Sequence, residues 1–187
     1  MKYHHLLLLL SCTLLLHLVS NNMLWGQQKV LRVMSYNVEN FFDTEDDPEH
    51  DDDSFLPTGA HRWTRARYQE KIQHIAEVIS AVGEEAFPDL IALTEVENAT
   101  VLSDLIHRTA LGEKMGYRYA LTHGEDKRGI NVALLYAPSS FRLIATEELP
   151  VHFPFDSLRR TRALLRVTGE VPSGDTLHLF VCHLPSR

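Results

Sequence analysis

Short runs of apolar and β-branched residues recur along this chain, and between them stands one long pattern of helical period. Val30–Tyr36 has the composition of a buried strand. Thr64 is a good N-cap for a helix running to about Val82, whose apolar face is Tyr68, Ile72, Ile75, Ile79 and Val82. Gly83 stops it, and Pro88 precedes a second core strand at Asp89–Thr94. Asn98 or Thr100 can cap a shorter helix carrying Leu102, Leu105 and Ile106 and ended by Gly112. Strands then dominate: Tyr117–Thr122, Ile130–Tyr136, Phe141–Thr146, Arg162–Glu170 and Thr176–Leu184. The turn Val171–Gly174 makes the last two a hairpin. This alternation predicts an α/β domain with a mixed sheet. The 187 residues, 44% hydrophobic and 23% charged, suffice for one domain with a real core. They exclude a disordered tail, a collagen-like repeat and a disulfide-stapled miniprotein.

The first 26 residues read as an address. Met1 and Lys2 precede a leucine-rich stretch through Val19, and Leu24-Trp25-Gly26 offers a cleavage site before Gln27. Ser11, Cys12 and His17 interrupt the apolar run too often for a membrane span, so it is predicted to be a secretory signal peptide. The domain would then occupy 27–187, in the periplasm or outside the cell, with no membrane attachment after cleavage. Cleavage removes Cys12 and leaves Cys182, expected to be buried in its strand. Two cysteines allow neither a zinc ribbon nor a disulfide framework.

The net charge of −7 argues against a protein that passively coats DNA. Its distribution is uneven. Glu45, Asp46, Asp47, Glu49, Asp51, Asp52 and Asp53 fall in one segment, 44–55, without a Lys or Arg, and the rest of the chain is close to neutral. Pro48 and Pro57 keep the segment from being helix or strand. It lacks the glycine and glutamate spacing of a calcium loop, and is expected to be a solvated, mobile surface loop. Trp63, before the first helix, is expected to pack against it as a staple.

Three apolar runs stop abruptly at polar residues, and there the chemistry gathers. The first ends in Ser35-Tyr36-Asn37-Val38-Glu39-Asn40, the second in Thr94-Glu95-Val96-Glu97-Asn98, and the last in Cys182-His183-Leu184-Pro185-Ser186-Arg187. A carboxylate and an amide at neighbouring strand ends make an all-oxygen site of the kind a hard ion such as Mg²⁺ prefers. Taken singly, each segment could equally hold turn formers and helix caps. Glu97 is expected to be a surface or capping residue, with a contact to the metal site as the alternative.

Ser35–Phe42 (SYNVENFF), Leu90–Asn98 (LIALTEVEN), Arg128–Tyr136 (RGINVALLY), Thr161–Val167 (TRALLRV) and Val181–Arg187 (VCHLPSR) together resemble the endonuclease/exonuclease/phosphatase superfamily. The nearest likeness is to its exported bacterial members. The resemblance implies the N-terminal half of a four-layer α/β/β/α sandwich with mixed, largely antiparallel sheets. It also implies a divalent-metal-dependent phosphodiester hydrolase. Asn37 resembles the first-strand asparagine beside metal and phosphate, and Glu95 the glutamate that binds the ion. Thr94 stands where family members often have Gln. Arg162 resembles a residue that meets the substrate phosphate, with Arg128 a second candidate. His183 resembles the strand-end histidine that contacts the scissile phosphate and works with a C-terminal carboxylate. Protonated, it would clamp the phosphate; neutral, it could help take a proton from water.

The implied cofactor is Mg²⁺, with Mn²⁺ or Ca²⁺ as alternatives. The implied partner is nucleic acid or another phosphodiester, with no stable protein partner. An exported nuclease is the leading expectation. The family's later elements, an Asp-x-Asn and a terminal Asp-His pair, have no counterpart before Arg187. The chain is therefore expected to be an N-terminal portion, poorly active alone. The alternatives are a catalytically empty remnant or, at full length, a sphingomyelinase or inositol-phosphate phosphatase.

Overall fold

A computed structural model describes residues 30–83, 86–156, 158 and 160–184. The leader reading at 1–26, Arg159 and the last three residues lie outside the described residues. Among the described residues, seven strands form two sheets. β1 (Val33–Phe41), β2 (Leu90–Val96), β3 (Arg118–Leu121) and β4 (Asn131–Tyr136) make a sheet of order β1-β2-β4-β3. β5 (Arg142–Leu149), β6 (Leu164–Glu170) and β7 (Thr176–Val181) make a second sheet in that order. Only β1 and β2 run parallel, and the other pairs are antiparallel. The mixed α/β class and largely antiparallel pairing expected from sequence are both present.

β4 explains why two layers must cover the first sheet. All six of its residues are buried. Val132, Leu134 and Tyr136 face a core shared with Phe141 and with Leu165, Val167 and Val181 of the second sheet, Phe141 standing just before β5. Ala133 and Leu135 face a core shared with the helices. Side chains alternate across a strand, so a strand covered on both faces is apolar at successive positions, and its one buried amide, Asn131 at the strand's start, is hydrogen-bonded.

α1 (Arg65–Val82) supplies the helical side. Thr64 caps it as expected, its side chain accepting from the Arg67 N–H, and Tyr68, Ile72, Ile75, Ala76 and Ile79 are buried. Val82 is not part of that face; it is 57% exposed, one turn beyond the last packed residue. The expected single second helix is two: α2 (Ala99–His107) and α3 (Ala110–Met115). Between them the Thr109 hydroxyl donates to the Leu105 carbonyl and accepts from the Leu111 N–H, ending one helix and capping the next. Gly116 then closes α3 in the left-handed conformation, at φ 59°.

Several strand ends move. β1 begins at Val33 and continues past Tyr36 to Phe41 across an irregularity between Asn37 and Phe41. β7 stops at Val181, short of Leu184, because pairing with β6 ends there. Cys182 is consequently exposed and not buried in the strand. The expected hairpin is present: the Val171 N–H donates to the Asp175 carbonyl, and Gly174 takes φ 90°. No helix among the described residues is long and apolar enough to cross a membrane.

Candidate active site

Two backbone irregularities build the centre of the site. Glu39 and Asn40 adopt φ of 54° and 58°, and Glu95 on the neighbouring strand adopts 64°. Positive φ is uncommon for residues with a side chain. Each falls where the strand register shifts, between Asn37 and Phe41 on β1 and between Thr94 and Val96 on β2. Such bulges re-aim side chains at a sheet edge. Here they bring Glu95 against β1: its Oε1 accepts from Asn37 Nδ2 at 3.1 Å and its Oε2 from the Asn40 N–H at 2.9 Å. Asn37 Oδ1 accepts from the Glu39 N–H at 2.8 Å, which fixes the orientation of the amide.

His183 joins from the segment just past β7, its Nε2 3.5 Å from Glu95 Oε1. Its Nδ1 is buried and meets no hydrogen-bond partner among the described residues. Burial, then the Arg162 and Arg128 charges, hold the imidazole below its ordinary pKa against the opposing pull of Glu95 and Asp126. The neutral ring is therefore favoured at pH 7.

Arg162 lies beside His183 but is largely committed. Nε donates to the His183 carbonyl at 3.1 Å and Nη1 to Asp126 Oδ2 at 2.8 Å, with both side chains of the ion pair only 10% exposed. Arg128 reaches the other oxygen of Asp126 at 3.4 Å and is 47% exposed. Burial raises the Asp126 carboxyl, but the Arg162 bond and the two guanidinium charges win and hold it below the usual range. Asn37 and His183 thus both meet Glu95 at Oε1, Arg162 bonds the His183 carbonyl, and Arg128 stands at the more exposed side of Asp126.

Four residues missed by sequence reasoning complete the surroundings. Asp126 pins both arginines. Lys71 of α1 donates from Nζ to the Glu39 carbonyl at 3.0 Å, and its pKa is lowered by burial against the attraction of Glu39 and Glu95. Asn131 is buried, donating to the Glu97 and Gly129 carbonyls and accepting from the Gly124 N–H. Asp43 accepts from Asn98 Nδ2 at 3.0 Å. Asn131 stood inside a recognised motif and could have been flagged. Lys71 sits on a polar helix face that gives no signal.

Glu97 corrects an expectation. It is not a surface residue: it is 6% exposed, and its carboxylate accepts from the Asp43 N–H at 2.6 Å. Burial, reinforced by Asp43, Asp52 and Asp47 and opposed by that N–H, pushes its pKa up to about 8. The acidic segment is corrected in part: Glu45, Asp46, Glu49, Asp51 and Asp53 are exposed, as expected of a surface loop, but Asp52 is buried and the segment is anchored to the domain. Phe55 stacks on buried Phe42 with ring centroids 4.3 Å apart, and the Asp51 N–H donates to the Lys127 carbonyl at 2.7 Å. Gly129, at φ 73°, lies so close to the His50 ring that a Cβ would crowd it. Trp63 packs on the helical core and also ties this segment down, donating Nε1–H to the Phe42 carbonyl at 2.9 Å.

Glu95 is a carboxylate oxygen donor half-sheltered near the end of the interior strand β2, and the imidazole beside it, His183, favours the neutral form. That donor set fits a hard divalent cation.

Residues 32–187 match the model of the "Endonuclease/Exonuclease/phosphatase family". No curated protein matches the chain. Among solved structures, the human Nocturnin catalytic domain with bound sulfate anion is similar at TM-score 0.53 and 18% identity, over 84% of this chain and 50% of that one. An endonuclease/exonuclease/phosphatase family protein from Bacteroides thetaiotaomicron gives 0.53 and 16%, over 80% and 48%. ANGEL2, a 2',3'-cyclic phosphatase, gives 0.53 and 17%, over 82% and 44%. The chain thus spans about half the length of these structures. At these identities the likeness concerns the fold, and the family model carries the assignment. The chain belongs to the endonuclease/exonuclease/phosphatase family, a family of hydrolytic phosphoesterases.

Proposed function

We propose that these residues form part of the active site of an exported, divalent-metal-dependent phosphodiester hydrolase, with a nuclease as the first reading. The observation that carries it is the Asn37–Glu95–His183 cluster, drawn from two neighbouring strands and the segment after β7, with positive φ at Glu39, Asn40 and Glu95. Export rests on the leader-like composition of residues 1–26.

In this reading Glu95 holds the ion, with Asn37 beside it. Mg²⁺ is the first candidate, and Mn²⁺ or Ca²⁺ are the alternatives. When bound, the ion supplies Lewis acidity toward the charge that grows on a phosphoryl oxygen. Asn37 fixes the Glu95 carboxylate through Nδ2. The Asn40 N–H holds its other oxygen, so the ligand does not need to reorganise. His183, neutral in its surroundings, can accept a proton at Nε2 or donate a hydrogen bond there, according to tautomer. Its bare Nδ1 is the atom that a carboxylate partner would meet, in keeping with the terminal Asp that the resemblance implies. Arg128 and Arg162 supply phosphate-directed charge, Arg128 as the more exposed and Arg162 mainly by positioning His183.

The test is hydrolysis of single-stranded DNA, RNA and bis(p-nitrophenyl) phosphate by the longest natural form of the protein, with Mg²⁺ and with EDTA. Metal-dependent turnover that Glu95→Ala abolishes is the expected result. Undiminished turnover in Glu95→Ala removes the metal assignment.

A further inference from the structure

The acidic segment contains a group of carboxylates that the Glu95 site does not use. Asp46, Asp52 and Asp53 each bring an oxygen within 4.8 Å of the others. Asp46 and Asp53 are exposed, but Asp52 is 2% exposed. Asp52 Oδ2 accepts from the Asp47 N–H at 3.2 Å, whereas Oδ1 is sealed from solvent and meets no donor among the described residues. No Lys or Arg occurs in residues 43–61, so the sequence nearby offers no cation to neutralise the group. His50 is turned to Asp47, at 2.8 Å.

Leaving a buried charged acceptor bare costs at least about 1–3 kcal/mol, and like charges beside it raise that cost. The ordinary escape is to swing the carboxylate into water. Here the backbone resists it: Asp51 is tied to Lys127, Asp53–Phe55 forms a 3₁₀ turn, and Phe55 is stacked on Phe42. The fold therefore holds Asp52 inward while keeping one face of the group, Asp46 and Asp53, open to water.

We propose that Asp46, Asp52 and Asp53 form a calcium site separate from the Glu95 centre, with water completing the coordination. Three carboxylates with an irregular, partly solvated geometry suit Ca²⁺, which accepts varied coordination. Mg²⁺ demands a near-octahedral shell and sheds its waters reluctantly. The absence of nitrogen and sulfur donors from the group disfavours zinc and copper. The arrangement is not the standard twelve-residue calcium loop. It uses adjacent aspartates at the start of a 3₁₀ turn and a third six residues earlier. The ion would satisfy the bare Oδ1 and lock the segment onto Phe42, so binding is coupled to stability.

The experiment is calorimetric titration of Ca²⁺ into the chelator-treated full chain carrying Glu95→Gln, which removes the charge of the proposed catalytic ligand. One Ca²⁺ per chain, with Mg²⁺ at least about tenfold weaker and a Ca²⁺-dependent rise in Tm, is expected. Asp46→Asn and Asp53→Asn, both at exposed positions, should each weaken binding by about tenfold or more while leaving the metal-free Tm in place. Absence of Ca²⁺ binding in the Glu95→Gln chain overturns the proposal, as does undiminished binding in the Asp46→Asn/Asp53→Asn double variant. A proton on Asp52 is the rival way to satisfy Oδ1. Asp52→Asn would then raise the metal-free Tm and Ca²⁺ would not move the parent's Tm, a result that also overturns it.

Discussion

Glu97→Gln tests the electrostatics of the site without touching Glu95. The Glu97 carboxyl is buried among Asp43, Asp52 and Asp47, and its pKa stands at about 8 instead of the ordinary 4.5. In the unfolded chain it ionises near the ordinary value. Between these two pKa values the folded chain therefore keeps a proton that the unfolded chain has lost. Stability falls as pH rises through this window and levels off above about pH 8. Roughly 3.5 pKa units at 1.36 kcal/mol each set a ceiling of about 5 kcal/mol on the loss. The substituted glutamine carries no charge and keeps an acceptor for the Asp43 N–H, but its amide hydrogens need partners, at a cost of about 1–3 kcal/mol. The variant is thus expected to be about 2–4 kcal/mol more stable than the parent at pH near 8.5. It should show no advantage below about pH 4.5. Urea unfolding across that range in EDTA, read as the difference between the two proteins, measures it. Parallel pH profiles for parent and variant would refute the assigned burial of the charge.

Other consequences follow from the same contacts. Arg162→Met strips Asp126 of its buried partner and should cost about 3–5 kcal/mol in chemical denaturation. Because the pair lowers the Asp126 pKa, its contribution is present above the unfolded value and lost as pH falls through the folded one, so the deficit should shrink in acid. Gly169→Ala drives a methyl into the Phe141 ring and should lower stability by about 1–3 kcal/mol, with Phe141→Leu restoring part of it. Equal stability of Gly169→Ala and the parent would contradict that close approach. In the full-length protein Glu95→Gln should reduce metal-dependent turnover by at least about 2–3 orders of magnitude while leaving the far-UV spectrum unchanged.

The patterns that could be read from sequence are those written in local order. The period of α1, with Thr64 as its cap, follows from hydrophobic spacing and side-chain capping alone. The run Val132–Leu135 of β4, apolar at successive positions, announces burial on both faces. Asn37, Glu95 and His183 could be nominated because each stands where an apolar run breaks, and the resemblance supplied their roles.

The sequence could not reveal which polar residues meet across those breaks. Glu97 and Glu95 lie two apart with similar neighbours, yet one is buried against Asp43 and the other turns toward Asn37 and His183. That difference arises at a bulge, where Glu95 takes positive φ, and bulges depend on how paired strands fall into register. The acidic segment misled for the same reason. Its charges suggest a free, solvated loop, and most of them are exposed, but the stack of Phe55 on Phe42 and the bond to Lys127 fix it to the domain and Asp52 is buried. Composition determined that this segment is acidic; only tertiary packing decided that Asp52 is buried with one oxygen bare. Desolvation is a property of what surrounds a group in space, and the neighbours that impose it come from distant parts of the chain.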